Sequence, residues 1–178
     1  MSDHIAAQTL ALTLAQALAQ ALLARGWRLA TAESCTGGLI SAACTDLSGS
    51  SAWFDRGFVT YSNEAKQDSL GVPAELIQAH GAVSEPVARA MVQGALRHAL
   101  ADVAVAVTGV AGPSGGSPDK PVGTVWLAWG RRDGDVHAER HWFPGDRSQV
   151  RQATVDQALR GLLQLVAQAD QAPGGAGG

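Results

Sequence analysis

This chain of 178 residues has few cysteines and no large excess of charge of either sign. Its two cysteines, Cys35 and Cys44, fall on one predicted helix about 13 Å apart along the axis, too far to bond to each other. The chain therefore has no disulfide framework, and we expect a cytoplasmic location. A formal net charge of −3 does not indicate a surface for nucleic acid, so no nucleic-acid partner is expected.

Signals for a membrane or for secretion are also missing. The apolar stretch at 9–23 is interrupted by Gln16 and Gln20, and it has neither the basic start nor the cleavage site of a signal peptide. We interpret it as an amphipathic helix and expect no membrane partner. The leucines that recur at the spacing of one helix face are Leu10, Leu14, Leu18 and Leu22.

The histidine pattern does not favour a metal site. His137 and His141 lie on one predicted strand, about 13 Å apart, which is too far for both to bind one ion. His4, His80 and His98 fall in separate segments. We therefore predict no metal ligands and no cofactor.

The hydrophobic pattern predicts a three-layer α/β/α single domain with a mixed, largely parallel sheet. A continuous apolar run at 103–107 is typical of a strand that is buried on both faces. Two further strands, at 122–129 and 136–143, predict a hairpin. We expect the domain to span 1–170 and the Gly-rich segment 171–178 to be a disordered tail.

The junction between a strand predicted at 27–32 and the helix after it is the first candidate site. Free backbone N–H groups and the positive end of the helix dipole at such a junction suit an oxyanion or a phosphate. A serine there is a candidate nucleophile, although a plain helix cap explains the same pattern. The residues at the junction are Glu33, Ser34, Cys35, Thr36, Gly37 and Gly38.

A serine nucleophile needs a base, and no histidine in this sequence is placed for that task. Tyr61 and Lys66 flank the end of a strand predicted at 53–61, so a Ser-Lys or Ser-Tyr-Lys arrangement with Ser34 would serve. The pKa of Lys66 would have to fall by about three units, which corresponds to about 4 kcal/mol. A solvated lysine on an exposed helix face is the plain alternative. Cys35 lacks a histidine partner, so we interpret it mainly as a packing residue.

A loop rich in glycine and proline, at 108–118, follows the buried strand. Ligands in open α/β sheets bind beyond the carboxyl ends of strands, so we predict substrate binding here rather than an idle turn. The loop matches neither a Walker motif nor a Rossmann fingerprint. Lys120 and Arg147 are candidates to contact a phosphate, although each is also explained as a surface charge. The candidate residues in the loop are Thr108, Gly109, Gly112, Gly115 and Gly116.

Five separated motifs carry a resemblance to a known family. They are AESCTGG at 32–38, YSNEAK at 61–66, GAVS at 81–84, TGVAGP at 108–113 and KPVGTV at 120–125. In this order, they make residues 8 to 168 resemble the CinA C-terminal domain family. The resemblance implies hydrolysis of the carboxamide of nicotinamide mononucleotide (NMN) to nicotinic acid mononucleotide and ammonia, in pyridine nucleotide salvage. It also implies a homodimer and the stand-alone form of a family whose other members carry a second domain.

Carried over residue by residue, the resemblance makes Ser34 the catalytic serine and makes Tyr61 and Lys66 its acid–base partners. Thr108, Gly109 and the glycines after them match the loop around the nucleotide, and Arg147 matches a basic position that contacts the phosphate. Two mechanisms fit these residues. Either Ser34 attacks the amide carbon while N–H groups near Thr36 and Gly37 hold the oxyanion, or water attacks while Ser34 polarises the carbonyl.

Two other functions fit the same residues. A non-catalytic nucleotide-binding module would keep the pocket and lose the chemistry, and a serine amidase for another small amide would not depend on the 5′-phosphate. The presence together of Ser34, Tyr61 and Lys66 favours an enzyme over the module.

Overall fold

A computed structural model describes residues 2–169, with side chains described from residue 9 onward. The predicted tail at 171–178 lies outside the described residues. One five-stranded sheet forms the centre of the molecule, in the order β2-β1-β3-β4-β5. Its strands are β1 (Leu29–Glu33), β2 (Phe54–Val59), β3 (Val103–Gly109), β4 (Thr124–Arg131) and β5 (Val136–Trp142).

The sheet is parallel on one side of β3 and antiparallel on the other. Strand β1 pairs in parallel with both β2 and β3, while β4 pairs antiparallel with β3 and with β5. The predicted mixed sheet, its buried central strand and its hairpin are thus confirmed. Glu33 lies opposite Val59 and Val107, so the three parallel strands end together at one edge.

Helices cover both faces of the sheet, which confirms the three-layer prediction. The helices are α1 (Ser2–Leu23), α2 (Leu39–Thr45), α3 (Asn63–Leu70), α4 (Ala74–His80), α5 (Glu85–His98) and α6 (Arg147–Gln168). One hydrophobic core joins α1, α2 and α6 to the sheet, and a second core joins α3, α4 and α5 to the opposite face. No helix in the segment 2–169 is long and apolar enough to cross a membrane.

Strand β3 shows why the two layers differ. Its valines face α1 and α6, whereas Ala104 and Ala106 face α5. The small alanine side chains let α5 lie close to the sheet. Helix α3 in turn lies close to α5, because a Cβ on Gly94 of α5 would be only 2.1 Å from the carbonyl oxygen of Leu70 in α3. Packing on the α5 side therefore brings α3 close to the sheet, and α3 carries Lys66.

One local prediction was wrong. Cys35 lies in the turn before α2 rather than on that helix, and only Cys44 is helical. Both cysteines are buried and free.

Candidate active site

The site begins where the parallel strands end. Hydrogen bonds continue past the strands, from the Ser34 N–H to the Val107 carbonyl oxygen at 3.0 Å and from the Thr60 N–H to the Glu33 carbonyl oxygen at 2.8 Å. The shared edge therefore places the first residue after β1 beside the first residue after β2. The topology brings Ser34 next to the segment that leads into α3.

The structure places Lys66 in contact with Ser34. The ammonium Nζ lies 3.0 Å from Ser34 Oγ and donates to the Thr60 carbonyl oxygen at 2.8 Å. Helix α3 begins after Ser62, whose hydroxyl accepts from the Ala65 N–H at 3.0 Å. This N-cap sets the first turn of α3 so that Lys66 points back toward the strand ends. Only 1% of Lys66 is exposed, so the solvated alternative does not hold.

No acidic side chain in the described part of the chain forms an ion pair with Lys66. Burial therefore lowers the pKa of Lys66 below its usual value. Cys35 would oppose this effect only as a thiolate, but burial raises the pKa of the Cys35 thiol to about 12. A neutral, 5% exposed thiol fits the packing role expected for Cys35 rather than a nucleophilic one. Burial thus makes the neutral amine, the form that can accept a proton, more accessible at Lys66 than at a lysine in water.

Glu33 requires a correction. We expected it among the substrate-binding residues, yet it is fully buried and its carboxylate accepts six hydrogen bonds within the protein. The donors are the N–H groups of Gly38, Ile40 and Ser41 and the hydroxyls of Thr31, Thr36 and Ser41. A carboxylate at a helix N-terminus is favourable because it binds free N–H groups and the dipole. The Glu33 carboxylate thus binds the N–H groups at the α2 N-terminus, where the sequence pattern had predicted a substrate anion.

The turn between β1 and α2 leaves two backbone donors without an acceptor in the described chain. The Gly37 N–H donates to the Ser34 carbonyl oxygen at 3.1 Å, and the Gly38 N–H donates to Glu33 at 3.0 Å. Both glycines have positive φ, +60° and +101°, which a residue with a side chain rarely adopts. The N–H groups of Cys35 and Thr36 have no hydrogen-bond acceptor among residues 2–169. These two donors directly follow Ser34 along the chain.

Arg151 was not predicted. It is half-buried on α6, and its guanidinium donates to the Cys35 carbonyl oxygen at 3.1 Å and to the Thr36 carbonyl oxygen at 2.9 Å. Its spacing of four residues from Arg147 places both side chains on one helix face, and that spacing was the signal in the sequence.

Tyr61 and Arg147 form a second cluster. One guanidinium nitrogen of Arg147 donates to the Tyr61 hydroxyl at 2.8 Å, and the other donates to the Gly112 carbonyl oxygen at 2.9 Å. Tyr61 is 61% exposed, and its hydroxyl makes no hydrogen bond with Ser34 or Lys66 in the part of the chain that is described. Arg147 thereby joins the end of β2 to the loop after β3.

The loop residues have packing roles of their own. Buried Thr108 donates its hydroxyl proton to the Ala82 carbonyl oxygen at 2.9 Å. A Cβ on Gly109 would lie 2.9 Å from the Thr124 carbonyl oxygen, so only glycine lets β3 end against β4. Because the Thr108 hydroxyl proton is already used, its oxygen could meet a substrate only as a hydrogen-bond acceptor.

Further along, the loop folds against Val122. A Cβ on Gly112 would lie 2.4 Å from a methyl group of Val122, and one on Gly116 would lie 2.9 Å from its backbone nitrogen. Gly115 is exposed, with φ of +88°. Lys120 donates to the carbonyl oxygen of His80, the last residue of α4, at 3.1 Å. The glycines therefore shape the loop.

A cavity of about 480 Å³ opens beside Arg147. Its lining is mostly apolar and includes Ala111, Pro113 and Val122 from the loop, with the start of α6 opposite. This volume lies within the range of small-molecule sites. Within residues 2–169, no group of three or more His, Cys, Asp or Glu side chains is arranged to hold a metal ion.

Relatives with assigned activities match most of the chain. It is 53% identical over 153 residues to the nicotinamide-nucleotide amidohydrolase PncC of Escherichia coli K12, covering 86% of this chain and 93% of that protein. It is 60% identical over 139 residues to the nicotinamide-nucleotide amidohydrolase PncC of Pseudomonas putida, covering 78% and 86%.

A solved structure has the same fold. The crystal structure of the competence/damage inducible protein CihA from Agrobacterium tumefaciens superposes with a TM-score of 0.86 at 48% identity, covering 88% of this chain and 95% of that one. The model of the CinA C-terminal domain matches residues 11–166. Because the family model matches most of the chain and relatives are more than 50% identical, the chain belongs to the CinA C-terminal domain family.

Proposed function

We propose that this protein is a nicotinamide-nucleotide amidohydrolase that converts NMN to nicotinic acid mononucleotide and ammonia. The observation that carries the proposal is the 3.0 Å contact between Ser34 Oγ and the buried amine of Lys66. This pair is a nucleophile with an adjacent base, as amide hydrolysis requires. The relatives with 53% and 60% identity are named for this activity.

In the first step, neutral Lys66 accepts the hydroxyl proton of Ser34 as Oγ attacks the carboxamide carbon. The C=O electron pair moves to oxygen, which gives a tetrahedral oxyanion. The N–H groups of Cys35 and Thr36, which have no acceptor within the described chain, are the donors for that oxygen. Such a donor stabilises charge that develops in the transition state.

In the second step, the oxyanion collapses and the C–N bond breaks. Lys66 returns the proton to the leaving nitrogen, so ammonia departs and an ester to Ser34 remains. Water then attacks the ester with Lys66 again as base, which releases the carboxylic acid and restores the serine. The balance is one water consumed and one ammonia released for each NMN.

Tyr61 enters this proposal in a different role from the proton relay considered on sequence grounds. Because Lys66 contacts Ser34 directly, no relay through Tyr61 is needed. The Tyr61 hydroxyl accepts from Arg147, so its own proton is free to be donated to a bound nucleotide. We place Tyr61 and Arg147 on the ribosyl phosphate side, since Arg147 also borders the cavity beside the loop.

Direct attack by water, with Ser34 only polarising the carbonyl, is the alternative within the same site. The two mechanisms differ in whether a covalent intermediate forms. Rapid quenching followed by intact-mass measurement distinguishes them, because an acyl group on Ser34 adds mass to the protein. The predicted homodimer and cytoplasmic location, with no nucleic-acid or membrane partner, remain predictions.

The function is tested by ammonia release from NMN with purified protein, beside a Ser34→Ala variant and a Ser69→Ala control on the exposed side of α3. We expect activity in the wild type and the control and none in the Ser34 variant. Release by Ser34→Ala at the wild-type rate would reject both mechanisms. No release by a wild type that still binds NMN would favour the non-catalytic module.

Substrate choice is tested by comparing NMN with nicotinamide riboside, which lacks the phosphate. A strong preference for NMN supports the nucleotide assignment, since charge-assisted hydrogen bonds to phosphate are lost in the riboside. Equal rates on both compounds would instead support a serine amidase for other small amides.

A further inference from the structure

The turn that carries Ser34 is held from the α6 side by a single cation. Arg151 donates to the carbonyl oxygens of two consecutive residues, Cys35 and Thr36, at 3.1 and 2.9 Å. No acidic side chain of the described chain forms an ion pair with Arg151. Its charge-assisted hydrogen bonds in the structure therefore go to these two peptide groups.

The hydrogen bond from Arg151 to the Cys35 carbonyl oxygen also restricts the orientation of the Thr36 N–H, which belongs to the same peptide group. In a trans peptide, the C=O and the following N–H point in opposite directions within one plane. The Cys35 carbonyl faces Arg151, so the Thr36 N–H must face away from α6. Helix α6 covers one face of the sheet, and α3 with Lys66 covers the other. Arg151 therefore fixes the orientation of the Cys35–Thr36 peptide, which directly follows Ser34.

The second hydrogen bond prevents the turn from relaxing. The Thr36 carbonyl accepts both from Arg151 and, at 3.3 Å, from the Leu39 N–H. Gly37 has φ of +60°, and a Cβ there would lie 3.5 Å from Arg151 Nη2. A turn containing two glycines has many accessible conformations, and rotation of the Cys35–Thr36 peptide would remove the donor from the site.

We propose that Arg151 is a positioning residue for amide hydrolysis, which holds the turn after Ser34 so that its unpaired N–H groups, those of Cys35 and Thr36, are placed to stabilise the substrate oxyanion. Arg151 does not contact the reacting atoms and acts through the backbone. The inference rests on the proposed function, because it concerns the donors that the tetrahedral oxyanion requires. It also explains why an unpaired arginine is half-buried beside the turn.

The test compares Arg151→Lys and Arg151→Ala with Arg160→Ala, an exposed arginine on the same helix. Removing one oxyanion donor typically costs a factor of about 100 to 1000 in kcat, so we expect Arg151→Ala to lose about 100-fold. We expect KM for NMN to stay within about twofold, because the oxyanion exists only in the transition state. A lysine can bind one carbonyl, so Arg151→Lys should keep an intermediate kcat.

Guanidinium rescue separates positioning from simple structural support. We expect added guanidinium chloride, at concentrations that leave the wild-type rate unchanged, to raise the kcat of Arg151→Ala at least several-fold. It should leave Arg160→Ala unaffected. A wild-type kcat in a folded Arg151→Ala variant would overturn the proposal. A loss of kcat that guanidinium does not restore would also overturn it, if both Arg151 variants show a matching fall in melting temperature.

Failure of this inference is distinguishable from failure of the proposed function. If the wild type releases no ammonia from NMN, the function itself is rejected, and with it the role of Arg151. If the wild type is active and Arg151→Ala is equally active, only the positioning role is rejected.

Discussion

Two ionisable side chains, Glu33 and Lys66, are buried beside Ser34, and their environments are opposite. Glu33 accepts six hydrogen bonds and lies against the N-terminus of α2. Lys66 has three hydrogen-bond contacts, the longest at 3.5 Å, and no acidic partner within the described chain. Burying a charge is costly unless it is paired and fully hydrogen-bonded. Six hydrogen bonds mark Glu33 as a structural anion, whereas burial beside neutral oxygens, without a counter-charge, marks Lys66 as a group whose charge can change.

The largest effect expected from this comparison is on Lys66. We expect Lys66→Met to lower kcat by about 1000-fold or more, as is typical when the base of a nucleophile is removed. The same variant should melt at an equal or higher temperature, because an apolar side chain replaces a buried amine without a counter-charge. Ammonia release and thermal unfolding measure the two quantities. A variant with activity within tenfold of the wild type would contradict the role of Lys66 as base.

Glu33→Gln should show the reverse pattern. The carboxamide nitrogen of glutamine cannot accept the hydrogen bonds now made to one carboxylate oxygen, so buried donors are left without acceptors. Since hydrogen bonds to charged groups contribute about 1.5–3 kcal/mol, we expect the free energy of unfolding to fall by about 2–4 kcal/mol. Urea unfolding measures it, with exposed Glu64→Gln as the control. A stability equal to wild type would show that Glu33 is not the structural anion.

The pH dependence of the rate sharpens the comparison. Burial lowers the pKa of Lys66 below its usual 10.5, so kcat/KM should rise with pH and level off below that value. Lysine in an unfolded chain keeps the higher pKa, so the unfolded state binds more protons between the lowered pKa and 10.5. Stability should therefore increase as pH rises through that window. The Lys66→Met variant should not show this increase of stability with pH. If the increase persists in the variant, another titrating group causes it.

The smallest effect is expected at Arg147, which is exposed. Its guanidinium uses two of its nitrogens on Tyr61 and Gly112, so only part of its hydrogen-bonding capacity is left for a phosphate. We expect Arg147→Met to raise KM for NMN about tenfold, the size of one charge-assisted contact, with kcat within about threefold. KM for nicotinamide riboside should hardly change. An equal rise for both compounds would place Arg147 away from the phosphate.

Much of the site was accessible from the sequence because its residues lie beside strand ends. Ser34 and Lys66 were both predicted, and their contact follows from two parallel strands that end in register. The role of Arg151 was not predicted. It depends on how a distant helix packs against the turn, which local patterns do not show.

The sequence by itself determined the layers, the central strand and the family, because hydrophobic periodicity and motif order are local properties. Only the tertiary structure decided which N–H groups stay free. Glu33 takes three of them at α2, and Arg151 reaches the same turn from a residue more than a hundred positions along the chain. The Arg151 contact depends on how α6 packs on the sheet. Whether a backbone N–H is left without an acceptor is known only when the positions of all nearby acceptors are known.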